Sequence, residues 1–254
     1  MELNKIYNED CIDAMKAIPD DSIDLIVTDP PYKITSRGNG GDAGGMFQKK
    51  VVNSGSIFKY NTVTIDDYIE EFYRILKPSS HCYIMTNNKN IYQFLKSINE
   101  SDFHFIKNLI WVKDNKIMGQ TYMSQFEYII MLRKGKHKRI NHCGTSDVIS
   151  VPNKKMKDEN MKTIHDTEKP VKLNEILVKN SSQIGDIVLD PFIGIGSLAV
   201  ACLNTNRNYI GFELDEEYYN ASLDRIGKHK EEWNEELLWK NYQTVFKMEL
   251  FGLN

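Results

Sequence analysis

The sequence predicts an α/β protein, a mostly parallel sheet covered by helices on both faces. Three observations carry that expectation. Short β-branched runs alternate with helically periodic stretches along most of the 254 residues. Two of those runs end on an aspartate followed by Pro, at Asp29 and Asp190, the pattern of a strand that delivers a side chain to the carboxyl edge of a sheet. The chain is 41% hydrophobic and 26% charged, enough apolar material for a core and too much for a disordered chain.

Taken in order, residues 5–7 (KIY) form a short strand, and 11–18 (CIDAMKAI) follow with Ile12, Met15 and Ile18 on one helical stripe. Residues 22–29 (SIDLIVTD) read as a buried strand ending at Asp29. The Gly-, Asn- and Ser-rich stretch 33–61 reads as a long loop. Residues 66–76 are helical and stop before Pro78. Strands are expected at 81–86, 109–113 and 126–132, with a helix over 90–98. Between Arg133 and Lys162, nine Lys/Arg face three Asp/Glu and periodicity is poor, so this segment reads as an inserted lobe or loop. Helix 171–181, strand 186–190, helix 197–203, strand 208–213 and helix 216–226 complete the alternation, and a charged helical tail with aromatic residues runs to the end.

Composition excludes several function classes. No apolar run approaches the roughly 20 residues that span a bilayer. The first residues (MELNKIYNEDC) contain acids and no apolar core, which argues against a secretory signal. Cys11, Cys82, Cys143 and Cys202 are far apart in sequence and suggest neither a zinc knuckle nor a redox pair, so a reduced, cytoplasmic protein without metal is expected. With a net charge of −3, any nucleic-acid contact requires locally concentrated positive charge.

Three runs carry chemistry. In 186–202 (DIVLDPFIGIGSLAVAC) a strand ends at Asp190, glycines 194 and 196 form the turn, and a helix starts near Ser197. A carboxylate at Asp190 repels a pyrophosphate and suits a cationic ligand. In 208–219 a strand ends at Glu213, placed to accept both ribose hydroxyls of a nucleoside. In 23–34 (IDLIVTDPPYKI) a strand delivers Asp29, Pro30, Pro31 and Tyr32 to its tip. Two prolines cannot continue a central strand, so they rigidify the turn. A carboxylate and the Pro30 carbonyl beside an aromatic ring suit a planar ligand with an exocyclic amine.

These runs resemble the S-adenosylmethionine-dependent DNA amino-methyltransferases. DPPY (29–32) resembles their catalytic tetrapeptide and DPFIGIGS (190–197) their cofactor loop, although Ile195 stands between the glycines where a small residue is usual. DPPY precedes the cofactor loop, the permuted order of the β group. Glu9-Asp10-Cys11 matches the acidic turn upstream of DPPY, and HDTEKP (165–170) matches the HxTxKP segment. The resemblance covers roughly residues 4–34, 65–132 and 163–226.

The resemblance implies a Rossmann-like seven-stranded methyltransferase sheet with one antiparallel strand. It implies a single catalytic domain over 1–254, with DNA-recognition insertions at about 33–61 and 114–162. Asp29, Pro30, Pro31 and Tyr32 would be catalytic. Asp10, Cys11, Thr167, Lys169, Asp190, Phe192, Gly194, Gly196, Ser197 and Glu213 would hold S-adenosylmethionine. The implied activity is methyl transfer to the N6 amine of adenine in a base flipped out of double-stranded DNA. The alternatives are cytosine-N4 transfer on the same scaffold and, further off, an RNA or protein amide methyltransferase. Asp at position 29 favours adenine, since N4 enzymes more often carry Ser there. The basic segment points to Lys134, Lys136, Lys138 and Arg139 as phosphate contacts. A homodimer and a cognate restriction endonuclease are compatible further partners.

Overall fold

Residue parity along the strands decides the layers. Leu25, Val27, Tyr83 and Met85 point to one side of the sheet; Ile26, Cys82 and Ile84, alternating with them, point to the other. Both sides are apolar, so both must be covered. The computed structural model describes residues 1–31, 63–117, 122–154 and 168–251, and for residues 117 and 234–251 the backbone alone. Tyr32, Thr167 and the glycine-rich stretch 33–61 lie outside the described residues.

The strands are β1 (Lys5–Tyr7), β2 (Ile23–Thr28), β3 (Leu76–Thr86), β4 (His104–Ile117), β5 (Ser124–Arg133), β6 (Val148–Ser150), β7 (Ile187–Asp190) and β8 (Asn208–Phe212). They form one eight-stranded sheet in the order β1-β8-β7-β2-β3-β5-β4-β6. Only β5 runs against the rest, pairing antiparallel with β3 and β4. The expected single antiparallel strand is present. The eighth strand is the addition: three residues of the basic segment add to the edge, with Trp111 opposite Ile149. Isolated from β4, Val148–Ser150 is too short to announce itself by periodicity.

Helices α1 (Cys11–Met15), α2 (Ile69–Ile75) and α3 (Ile91–Glu100) pack on the Ile26/Cys82/Ile84 face through Met15, Phe72, Ile75, Phe94 and Ile98. Helices α4 (Val171–Ser181), α5 (Ser197–Asn204) and α6 (Glu216–Phe251) pack on the other face, where Leu173, Leu177, Leu198, Ala199 and Ile226 meet Leu25, Val188 and Tyr209. The tail expected as a separate helix continues α6 without a break over 36 residues.

Two strand differences have local causes. β3 starts at Leu76, inside the stretch read as pre-proline helix, because Pro78 is tolerated where the β2–β3 register shifts between Ile23 and Leu25. β4 and β5 run longer than their apolar cores. Their pairing continues from Ile110–Tyr128, level with the end of β3, up to Ile117–Ser124. Measured along β5, whose four residue steps from Tyr128 to Ser124 face a bulged β4, this hairpin rises about 14 Å above the end of β3.

β7 and β2 are adjacent and parallel. The cofactor-side strands β1, β8 and β7 therefore meet the substrate-side strands β2, β3, β5 and β4 at this seam. That is where an open α/β sheet binds ligands, outside its strands' carboxyl ends.

Candidate active site

A cavity of about 310 Å³ opens over the β7–β2 seam. Of the expected residues it is lined by Asp10, Cys11, Asp29, Pro30, Pro31, Lys169, Asp190, Phe192, Gly194, Ser197 and Glu213. Gly196 sits one residue behind, as the N-cap of α5 with φ 78°. Among the described residues the lining carries eight carboxylates (Glu9, Asp10, Asp29, Glu168, Asp190, Glu213, Asp215 and Glu217) against one lysine. Such a wall disfavours a dinucleotide pyrophosphate and favours a cation.

The cofactor side is shaped by backbone. Ile193 lies flat on β8 because residue 211 is glycine; a Cβ there would come within 2.4 Å of the Ile193 side chain. The turn then reaches Gly194, whose positive φ of 54° goes with its N–H donating to Glu213 Oε2 at 2.9 Å. Glu213 Oε1 accepts from Asp215 N at 2.8 Å. Burial raises the Glu213 carboxyl above its usual range, and these amides pull it back. Each oxygen retains a lone pair for a ribose hydroxyl.

Asp190 Oδ1 accepts from the Thr28 hydroxyl at 2.7 Å and from Phe192 N at 3.1 Å. Burial pushes its carboxyl up to about 7, and the nearby Asp29 and Glu213 charges add to the shift. Phe192 stands edge-on to Tyr68, with ring centroids 5.4 Å apart. Asp10 caps α1 by accepting from Ile12 N at 2.8 Å, and burial pushes the adjacent Cys11 thiol up to about 12, an inert neutral group.

Asn174, which the sequence reading missed, donates to Ser197 Oγ at 3.2 Å, while its buried Oδ1 has no partner among the described residues. This orphaned acceptor, the half-titrated Asp190 and the acidic wall together fit a ligand bearing ammonium and sulfonium charges beside a nucleoside.

On the substrate side, Asp29 leaves the tip of β2 with Pro30 buried behind it. Lys169 donates to Asp29 Oδ2 and also lies 3.3 Å from Glu127 Oε2. Glu127 Oε1 in turn accepts from Lys113. Asp29 Oδ1 is buried and has no hydrogen-bond partner among the described residues. A buried carboxylate oxygen left without a donor is costly unless a ligand supplies one. Lys169, expected on the cofactor, thus reaches the Asp29 carboxylate. Glu127 and Lys113 were missed, although charged residues inside the apolar strand runs IWVK and FEYIIML were a usable signal.

The basic residues expected on DNA stand elsewhere. β5 runs from Glu127 at the cavity down to Arg133 opposite His81, so the following segment lies about 20 Å away at the sheet's amino edge. There Lys134 Nζ bonds Asp21 Oδ1 at 2.6 Å and the Tyr73 carbonyl at 2.7 Å, with its cation 4.8 Å from the Tyr73 ring centroid. Lys134, expected as a phosphate contact, is engaged by Asp21 and Tyr73 within the fold. Lys136 and Arg139 are exposed and Lys138 is half-buried, all on this same far edge. Among the described residues, no group of His, Cys, Asp and Glu is placed to hold a metal ion, and no helix is long and apolar enough to cross a membrane.

A seam cavity with an acidic cofactor wall and an open carboxylate at the neighbouring strand tip defines a group-transfer enzyme acting on an amine. Residues 23–224 match the DNA methylase family model of N6/N4 methyltransferases, and the chain belongs to that family and is a DNA methyltransferase. It is 31% identical over 247 residues to the Type II methyltransferase M.HpaI of Haemophilus parainfluenzae, covering 87% of this chain and 74% of that protein. It is 29% identical over 251 residues to the Type II methyltransferase M.HinfI of Haemophilus influenzae, covering 90% and 69%. Among solved structures, the M1.HpyAVI–SAM complex superposes with a TM-score of 0.64 at 24% identity, covering 87% of this chain and 98% of that one. The cytosine-N4-specific PvuII DNA methyltransferase superposes with a TM-score of 0.68 at 15% identity, covering 88% and 86%.

Proposed function

We propose that the protein is a site-specific DNA adenine-N6 methyltransferase that uses S-adenosylmethionine. The observation that carries this reading is Asp29 Oδ1, an unpartnered buried acceptor on the cavity beside the acidic seam. When bound, the cofactor supplies an electrophilic sulfonium methyl. Glu213 takes the ribose hydroxyls, while Asp190 and Asn174 face the cationic methionine end. Asp29 Oδ1 and the Pro30 carbonyl accept hydrogen bonds from the exocyclic amine, which favours a pyramidal nitrogen with a localised lone pair. Tyr32 stacks on the ring, and the base leaves the duplex to reach the pocket. Positioning of this kind is worth on the order of 7–11 kcal/mol. Aspartate at the head of the tetrapeptide supports adenine over cytosine.

The cavity opens at the carboxyl edge, so the duplex lies there. Lys89 beyond β3, Lys116 near the top of β4 and Lys154 beyond β6 are exposed on that edge. Neutralising all three should lower the slope of log K against log salt by about 0.9 for each phosphate they neutralise, whereas neutralising Lys136, Lys138 and Arg139 should leave it unchanged. Binding titrations across salt concentrations check both sets.

The function itself is tested by modification-sensitive sequencing of DNA from cells expressing the wild type or Asp29→Ala. Methyl-N6-adenine at one short motif, present only with the wild type, is expected. Methyl on cytosine N4 would overturn the choice of base. The same motif would be the one a cognate endonuclease cuts.

A further inference from the structure

From Asp29 and Lys169, which line the substrate side of the cavity, a run of buried charge continues behind the cavity wall, longer than a carboxylate needs to accept a hydrogen bond. Lys113 on β4, Glu127 on β5, Lys169 ahead of α4 and Asp29 beyond β2 alternate in sign along one connected chain. The two lysine side chains are each 7% exposed, Glu127 17% and Asp29 20%. Each charge in the chain has an opposite neighbour, and the chain sums to zero.

Geometry explains why four members are present. β3 separates β2 from β5, so those two strands stand about 9.6 Å apart and their carboxylates meet only through a cation between them. β3 stops at Thr86, level with Tyr128, and Glu127 lies one residue above that end. The raised hairpin thus carries Glu127 over the end of β3, where Lys169 fills the gap between the two acids. Lys113 closes the far side, with its cation 4.9 Å from the Trp111 ring centroid. Trp111 is itself fixed by donating to the Val151 carbonyl at 2.8 Å, and Gln125 donates to the Lys113 carbonyl at 3.0 Å.

We propose that Glu127 and Lys113 are positioning residues of the methyl-transfer site: they hold Lys169 on Oδ2 of Asp29, so that Oδ1 alone faces the substrate amine. This inference rests on the methyltransferase reading above. A carboxylate whose second oxygen is pinned cannot rotate, and its open lone pairs are fixed in direction. Lys169 also offsets the burial that raises the Asp29 carboxyl, while Glu127, which burial alone would raise, is held below its usual range by the two lysines. The charged and titratable groups facing Asp29 are Lys169, Glu127 and Lys113 on this chain, Asp190 on β7 and the buried Tyr68 hydroxyl.

The test uses the full chain and single-turnover transfer of a tritiated methyl group to duplex DNA over a pH series, with Glu127→Gln, Lys113→Met and the double variant. Each single change leaves one buried charge uncompensated; the double change leaves the neutral Lys169–Asp29 pair. Lys113→Met should move the acidic limb of the rate profile to higher pH, because one of the two cations that offset Glu127 beside Asp29 is gone. Glu127→Gln should move that limb to lower pH and reduce the plateau rate about 10- to 100-fold as Lys169 loosens. The double variant should lie closer to the wild type than either single variant in both measures. Cofactor affinity within about threefold of the wild type in all three variants, measured by calorimetry, shows that they are folded. Wild-type profiles in both single variants, or losses that simply add in the double, would overturn the proposal. Wild type and Asp29→Ala run alongside: if the first transfers methyl and the second does not, the underlying reading stands whatever Glu127 does.

Discussion

Two carboxylates stand at the tips of neighbouring parallel strands, Asp29 after β2 and Asp190 at the end of β7, and they are treated in opposite ways. Asp29 has a built-in cation, Lys169, on one oxygen. Among the described residues, Asp190 has neutral donors alone, the Thr28 hydroxyl and the Phe192 amide. The first can be an anion before any ligand arrives. The second, pushed up to about 7, is only partly ionised at neutral pH and gains its counter-charge from what binds. One strand step separates a prepaired acid, proposed to act on a neutral amine, from an acid without a cation of its own, proposed to recognise a positively charged ligand.

The largest effect should come from breaking the prepaired side. Asp29→Ala removes the acceptor that localises the amine lone pair. Methyl transfer should fall by about 10²–10³-fold or more, since the acceptor acts at the reacting atom. Cofactor affinity should stay within a few-fold of the wild type, because Asp190, Asn174 and Glu213 remain. Tritiated-methyl turnover and calorimetry on one preparation read both; equal turnover would remove Asp29 from the chemistry.

Asp190→Asn tests the unpaired side. Asn can still accept from Thr28 and Phe192 but offers no charge. Cofactor affinity should drop about 10- to 150-fold, since a charge-assisted hydrogen bond is worth about 1.5–3 kcal/mol. In the wild type, affinity should rise with pH and level off above about 7, with on the order of half a proton released per cofactor bound at pH 7. The variant should show neither effect. Titration calorimetry in buffers of different ionisation enthalpy counts the protons.

The same residue has a stability signature without ligand. Between the usual aspartate range near pH 4 and about pH 7, the folded protein retains a proton on Asp190 that the unfolded chain has released. This contribution to stability is therefore present at low pH and lost as pH rises through that window. Asp190→Asn cannot titrate, so its stability relative to the wild type should increase with pH from about 4 to 7, by up to roughly 1.4 kcal/mol per unit. Urea titrations at several pH values measure the difference, and a flat difference would mean that Asp190 is already ionised.

The positions of these acids were legible in the sequence, and their pairing was not. The strand endings IVTD and IVLD, two prolines and a glycine turn announced Asp29, Asp190 and Glu213, because each sits where a strand must stop, and stops leave local marks. The alternation of elements likewise pointed to a parallel sheet. Lys169, however, meets Asp29 across 140 residues of chain, and Glu127 meets Lys113 only once the hairpin register is set. Lys134 shows a different limit: a basic run suggested a phosphate track, and only the direction of β5 shows that it lies at the amino edge of the sheet, away from the cavity, since composition has no direction.

The smallest expected effect concerns a third cavity acid that, like Asp29, already has its cation. Glu168 is 3% exposed in its side chain and lies 2.8 Å from Arg225, which reaches 3.3 Å to the Ile195 carbonyl. This contact ties the residue before Lys169 to the glycine turn through α6. The guanidinium needs acceptors more than it needs a full charge from each, and a Gln carbonyl supplies one at the same reach. Glu168→Gln should therefore leave cofactor affinity and turnover within about threefold of the wild type and alter neither pH profile. Arg225→Met is the harsher change, because it strands a buried carboxylate. It should destabilise the fold by about 3–5 kcal/mol, and the Glu168→Gln/Arg225→Met double variant should recover part of that loss. If Glu168→Gln instead weakened cofactor binding as much as Asp190→Asn does, a prepaired acid would be recognising the ligand's charge, and the division between paired and unpaired carboxylates in this cavity would fail.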